Sequence, residues 1–286
     1  MVDVRCLDVL LRSLATFADL ASCDLLVSCN SGDPTVRESL TNVCRSYPAR
    51  SLSIDFFEPK ETPGSQQHGE ALNRLFSRTT SKHAAVFDPD VIVASPRWLD
   101  FCKRRVDEGC FIVGTSYEAW QLKWQGDFPN VWCAMIDGDA LRAAKLDMRP
   151  WAAGGDPEKR DRSMSKDTSW RMAEYGLKNR LKYLPLSATH GKLSGLLSEW
   201  AATPRFARGQ RDVETAALRM AQHVNDLHAM EFAYPGTDEV CCAHLFHANC
   251  WNNRGPSRVG RWITCANMVI DAVECKAQQP PAAQGP

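Results

Sequence analysis

Apolar positions along the chain come in short runs separated by stretches of helical spacing, and that alternation carries most of what the sequence says about its architecture. Cys6 to Leu20 places Leu7, Leu10, Leu11, Leu14 and Phe17 on one stripe and predicts an amphipathic helix. Asp24 to Cys29 reads as a buried strand that runs into the turn residues Asn30-Ser31-Gly32-Asp33. Asp33-Pro34 supplies an N-cap and a first-turn proline for a helix carrying Val36, Leu40 and Val43. Ser51 to Phe56 is a second strand, and a helix from about 67 to 79 turns Ala71, Leu72, Leu75 and Phe76 inward. Ala84 to Phe87 is a strand that stops at Asp88-Pro89-Asp90, and Ser95-Pro96 opens a helix running to about Val106. Strands follow at Phe111 to Gly114, Asn130 to Ile136 and Leu181 to Leu186, with helices near 138–145 and 165–175.

Strands alternating with helices predict an α/β layered fold with a mostly parallel, Rossmann-like sheet flanked by helices. The division expected is a main domain over 1–189, an accessory segment over 190–276 and a Pro/Gln/Ala-rich tail over 277–286 that reads as disordered. The accessory segment reads as a helical extension, because Val213, Ala217, Met220, Val224 and Leu227 recur at helical spacing between Asp212 and Met230. Gly, Pro and charge dominate 147–163, which predicts a loop or lid.

Composition narrows the class of protein. With 34 basic and 34 acidic residues the 286-residue chain has no net charge, so the basic field that nonspecific nucleic-acid binding requires is missing. Its longest apolar candidate, Trp262 to Val273, falls short of the roughly 18 residues needed to cross a bilayer and contains Asn267 and Asp271. The first residues lack the charge and apolar core of a signal peptide, so the expected location is the cytoplasm, with a peripheral membrane association compatible. Twelve scattered cysteines in a chain of this size read as reduced, buried small residues.

The segment richest in chemistry is 67–99, which holds His68-Gly69-Glu70-Ala71-Leu72-Asn73 and Phe87-Asp88-Pro89-Asp90-Val91. Asp88 and Asp90 lie one residue apart at the carboxyl end of a strand, where open α/β sheets bind ligands. Such a pair can reach one hard divalent cation, although a solvated Asp-Pro-Asp turn has the same sequence. At this point the chain resembles the family 2 glycosyltransferases of the GT-A fold in the nucleotide-diphospho-sugar transferase superfamily. Three segments in order carry the resemblance: 27–33 (V-S-C-N-S-G-D) to the first nucleotide-contacting turn, 68–73 to a Gly/Asn-containing helix start, and 87–91 to the D-x-D motif.

The resemblance implies an enzyme, a transferase that moves a sugar from a nucleotide-diphosphate donor to a hydroxyl acceptor on a saccharide, lipid-linked glycan or other molecule, with inversion. It implies Mn²⁺ or Mg²⁺ held by Asp88 and Asp90, completed by His190 or by His244 or His247 from the C-terminal part. Donor contacts would come from Asn30, Asp33, His68, Gly69, Asn73 and Asp88, and the general base would be Asp167 in K-D-T-S-W-R at 166–171. Three positions depart from the pattern. The first strand is shortened to 1–5, Ser28 or Cys29 replaces the usual base-contacting acid, and Lys166 occupies the first of two usually acidic positions. Those departures keep open a glycosyltransferase-like binding protein without turnover. A sugar nucleotidyltransferase is the other alternative, and the glycine-rich basic loop it requires is not seen.

Bland readings stand beside several further features. Asp137 and Asp139 form a second D-x-D whose place before a helix predicts a capping role. Trp120, Trp124 and Trp132 could stack on sugars, but such residues more often pack a core. Cys241, Cys242, His244, His247 and Cys250 offer zinc-type ligands, yet their spacing matches no standard finger and a strand would divide them between two faces. A partly buried His/Cys strand is the default expectation there.

Overall fold

Strands Asp24–Cys29 and Ser51–Phe56 form where the sequence pattern predicts them, whereas those at Val91–Val93 and Ala229–Ala233 arise where it predicts none. The computed structural model describes residues 4–58, 65–116, 128–150, 168–189, 229–245 and 255–277. Within them the chain forms two compact units: Leu20–Asp88 with Leu99–Ala188, and Met1–Asp19 with Pro89–Trp98 and Thr189–Pro286. The chain passes from one to the other between Asp88 and Pro89.

The first of these units opens with β1 (Asp24–Cys29), α2 (Pro34–Arg45) and β2 (Ser51–Phe56), preceded in the chain by α1 (Val4–Phe17) of the other unit. β1 and β2 are parallel, in register from Asp24↔Ser51 to Cys29↔Phe56. Asp33 caps α2: its carboxylate accepts from the Thr35 amide at 2.8 Å and from the Thr35 hydroxyl at 2.7 Å. α3 (Ser65–Arg78) packs on β1.

A second sheet in this unit has the order β3 (His83–Phe87), β6 (Cys133–Asp137), β5 (Cys110–Thr115), β7 (Lys182–Thr189). Every residue of β5 is buried, as befits a strand covered on both faces. The core beneath it is built by Ile112, Ile136, Phe128, Met148 and Met172, each almost fully buried. β5 pairs parallel with β7, but β6 runs antiparallel to both β3 and β5. The expectation of a mostly parallel sheet is therefore corrected: the sheet is mixed. An apolar run specifies a strand but not its direction, which depends on how the connection before it returns the chain. α4 (Trp98–Asp107), α5 (Gly138–Ala144) and α6 (Trp170–Lys178) complete the helices that follow β3. Asp137 caps α5 by accepting from the Ala140 amide at 3.0 Å, the role its position predicts.

The other unit is a three-stranded antiparallel array in which β9 (Val240–Leu245) pairs with both β8 (Ala229–Ala233) and β4 (Val91–Val93). The C-terminal part thus contributes strands as well as a helix. Met230, expected to end a long helix, pairs with His244 instead, while 212–228 lies outside the described residues. α1 buries Cys6, Val9, Leu10, Leu14 and Phe17 on one stripe and packs against β4 and α7 (Gly255–Ala277). Arg12 joins α1 to α7, donating to Asn267 at 2.9 Å and to Asp271 at 2.6 Å. The amide of Val93 donates to the Ser13 hydroxyl at 3.1 Å, and that hydroxyl donates to the Leu10 carbonyl at 2.7 Å. No helix among the described residues is long and apolar enough to cross a membrane, and Cys6, Cys23, Cys29, Cys44, Cys102, Cys110, Cys133, Cys241, Cys242 and Cys265 form no disulfide.

Candidate functional site

β3 ends at Phe87, opposite Cys133, and the pairing is carried one step further by the Asp88 amide, which donates to the Trp132 carbonyl at 2.7 Å. The backbone of Asp88 is thereby fixed at the end of the strand. Its side chain meets α3, where His68 Nε2 lies 3.1 Å from Asp88 Oδ1. Both groups are partly accessible, with 34% of the His68 side chain and 18% of the Asp88 side chain exposed.

α3 owes its placement to contacts with 147–150. A Cβ on Gly69 would stand 2.5 Å from the Arg149 Cα and 2.8 Å from the Met148 carbonyl oxygen, so this helix approaches that backbone as only glycine permits. One turn on, Asn73 donates to Asp147 Oδ1 at 2.8 Å and accepts from the Met148 amide at 2.8 Å, so both ends of its carboxamide are engaged. Arg149, then Asn73, hold the Asp147 carboxyl well below the usual carboxylate range. Thr168 donates to the Ser65 carbonyl at 3.1 Å, the Ser169 amide to the Met148 carbonyl at 2.9 Å, and Trp170 Nε1 to the Arg149 carbonyl at 3.2 Å. The start of α3, the strap 147–150 and the start of α6 are therefore stitched together.

From the turn after β1, Asn30 donates to Gln67 at 2.8 Å and so reaches the residue beside His68. Of the residues expected to touch a donor, the structure thus places Asn30, His68 and Asp88 along one chain of contacts, if Gln67 is included. Asp33 faces its own helix, and Gly69 and Asn73 face the strap.

Asp90 lies at the start of β4 in the other unit. Val91 pairs with His244 across the β4–β9 ladder, and this register brings His244 Nε2 to 3.2 Å from Asp90 Oδ1. Asp90 is 5% exposed and His244 4%. A carboxylate oxygen and an imidazole nitrogen thus meet in a nearly dry setting, with the other carboxylate of D-P-D two positions earlier in the sequence. Of the C-terminal histidines considered for this motif, the described one is His244, which meets Asp90. His190, Asp167, Trp120, Trp124, His247 and Cys250 lie outside the described residues.

The remainder of the zinc-type set behaves as a buried strand. Cys241 and Cys242 are fully buried at neighbouring positions of β9, Cys241 Sγ lies 3.2 Å from the Phe232 carbonyl, and burial raises the Cys241 thiol well above its ordinary value. An inert, protonated thiol fits that setting. One acidic group went unread in the sequence: Asp55, near the carboxyl end of β2, receives two hydrogen bonds from Arg74, at 2.5 and 3.1 Å, which lower its pKa. Its partner lies a helix away in sequence, and no motif marks either residue.

No protein-family model matches the chain, and no curated protein matches it. Among solved structures, the mannosyltransferase PcManGT from Pyrobaculum calidifontis, in complex with GDP-Man and Mn²⁺, matches over 93% of this chain and 83% of that chain, with 11% identity and a TM-score of 0.40.

Proposed function

We propose that this chain is a glycosyltransferase that moves a sugar from a nucleotide-diphosphate donor to a hydroxyl acceptor, with Mn²⁺ or Mg²⁺ held at the D-P-D motif of Asp88 and Asp90. The observation that carries the reading is the buried Asp90–His244 pair at D-P-D, whose other carboxylate, Asp88, stands two positions earlier in the sequence. The Asp90–His244 pair offers donors that suit such an ion: carboxylate oxygen serves Mg²⁺ and Mn²⁺ alike, and an added imidazole nitrogen is well accepted by Mn²⁺. When bound, the cation neutralises charge on the departing diphosphate.

The chain's own residues do the rest. Asp167 takes the proton of the acceptor hydroxyl while the acceptor oxygen bonds to the anomeric carbon and the bond from that carbon to the diphosphate oxygen breaks, which inverts the configuration. Asn30, in the turn after β1, is a donor-side contact in this reading. Asp33, Gly69 and Asn73 serve the site through the fold, as cap, close approach and clasp.

Calorimetry with UDP, GDP and their sugars, with and without Mn²⁺, tests the reading. Cation-dependent binding of one nucleotide sugar followed by its slow hydrolysis supports it; indifference to every nucleotide and to Mn²⁺ overturns it. Lys166, standing where a second acid is usual, favours a second reading as a binding protein without turnover. Binding without hydrolysis or transfer selects that one. A wild type that transfers sugar, alongside an Asp167→Asn variant that keeps full transfer activity, removes the base assignment.

A further inference from the structure

The contact between His68 and Asp88 has no counterpart in the chemistry assigned so far. A carboxylate that must present one oxygen to an ion gains from having its other oxygen held, because free rotation about the last side-chain bond is otherwise lost on binding. His68 Nε2 stands 3.1 Å from Oδ1 of Asp88, a distance at which a neutral imidazole carrying its hydrogen on Nε2 donates to the carboxylate. Asp88 cannot shift away along the chain, since its amide is tied to the Trp132 carbonyl. The backbone of α3 beside His68 is held in turn, since the next residue, Gly69, is seated against the backbone of Met148 and Arg149 and Asn73 is clasped to Asp147 and Met148.

The geometry points to His68 as a positioning residue for the cation site: it fixes Oδ1 of Asp88 and leaves Oδ2 to face the ion. This inference rests on the proposed cation reading and deepens it by giving the D-x-D motif an orienting partner on α3. His68 is a different kind of participant from His244. His244 meets the buried Asp90 within the strand array, whereas His68 comes from a helix, is one third exposed, and meets Asp88. The strap 147–150 then acquires a role in the site at one remove, since it sets where α3 carries His68.

Mn²⁺ binding to the full chain, followed by the electron paramagnetic resonance signal of the free ion, reads this out without any turnover. His68→Ala is expected to weaken Mn²⁺ binding by about tenfold to a hundredfold, the usual effect of removing a partner that orients a ligand. His68→Gln, whose side-chain amide can still donate to Oδ1, is expected to recover most of the loss. The melting temperature of both variants without metal is expected to match the wild type. Unchanged Mn²⁺ affinity in His68→Ala overturns the inference. So does equal loss in Ala and Gln variants, which would make the imidazole a ligand in its own right, or a lowered metal-free melting temperature that accounts for the loss. A folded wild type that binds no Mn²⁺, or an Asp88→Asn variant that binds it as well as wild type, brings down the cation reading and this inference together.

Discussion

His244 on β9 and Asp90 at the head of β4 meet at 3.2 Å with hardly any of either side chain exposed, although 154 residues separate them in the chain. A ligand that binds only the folded state raises its stability, by about 2.7 kcal/mol when present at a hundred times its dissociation constant. Mn²⁺ is therefore expected to raise the melting temperature of the wild type and to leave that of Asp90→Asn nearly where it was. A scanning fluorimetry series in Mn²⁺ checks this, and equal shifts in both proteins would remove Asp90 from the cation site.

Substitution of Gly69 by Ala is expected to cost about 1–3 kcal/mol, because the added methyl meets backbone that cannot rotate aside. Gly32→Ala is the control: nothing lies within 4 Å of a Cβ built there, and a change within about 0.5 kcal/mol is expected. Urea unfolding of the two variants gives the comparison.

Asp33 separates capping from ligand contact. Asp33→Ala is expected to lose about 0.5–2 kcal/mol, while Asp33→Ser, which keeps a cap, loses little. If the carboxylate served only α2, nucleotide-sugar binding measured by calorimetry follows the same order. Loss of binding in a fully stable Asp33→Ser protein would show that the donor needs the charge.

Acid sensitivity follows from carboxylates held below their ordinary values. Hydrogen bonds from Arg50 and then Ser51 lower Asp24 to about 2, and Arg149 followed by Asn73 lowers Asp147. Such groups stabilise the fold above their unfolded value, near 3.9, and that contribution fades as pH falls through the folded value. The difference in urea midpoint between wild type and Asp24→Asn is therefore expected to be present at pH 7 and to shrink between about pH 4 and pH 2. Asp147→Asn behaves alike. A gap that stays constant with pH would mean that the carboxylate charge is not what the variants lose.

Local signals made part of this legible beforehand. Asp24–Cys29 and Ser51–Phe56 stand out as strands because each is a short apolar-rich run bounded by turn residues, and Asp33-Pro34 marks a helix start by its chemistry alone. Asp88 and Asp90 are visible because they are neighbours in sequence. Direction and register are not written locally: nothing in Cys133–Asp137 says that it runs against both of its partners, and nothing in C-C-A-H says that His244 will face Asp90. The same limit hid the tie of Asn73 to Asp147, which depends on how closely Gly69 lets two backbones approach.

Ser13 has a consequence for the border of the strand it touches. Among the described residues β4 is the last strand of its ladder, and an end strand offers unsatisfied amides on which another chain can add itself. The Val93 amide is already taken by the Ser13 hydroxyl, and α1 lies against the strand. The first helix is thus a guard over an otherwise adhesive border, and a protein shorn of it bares that border to other chains.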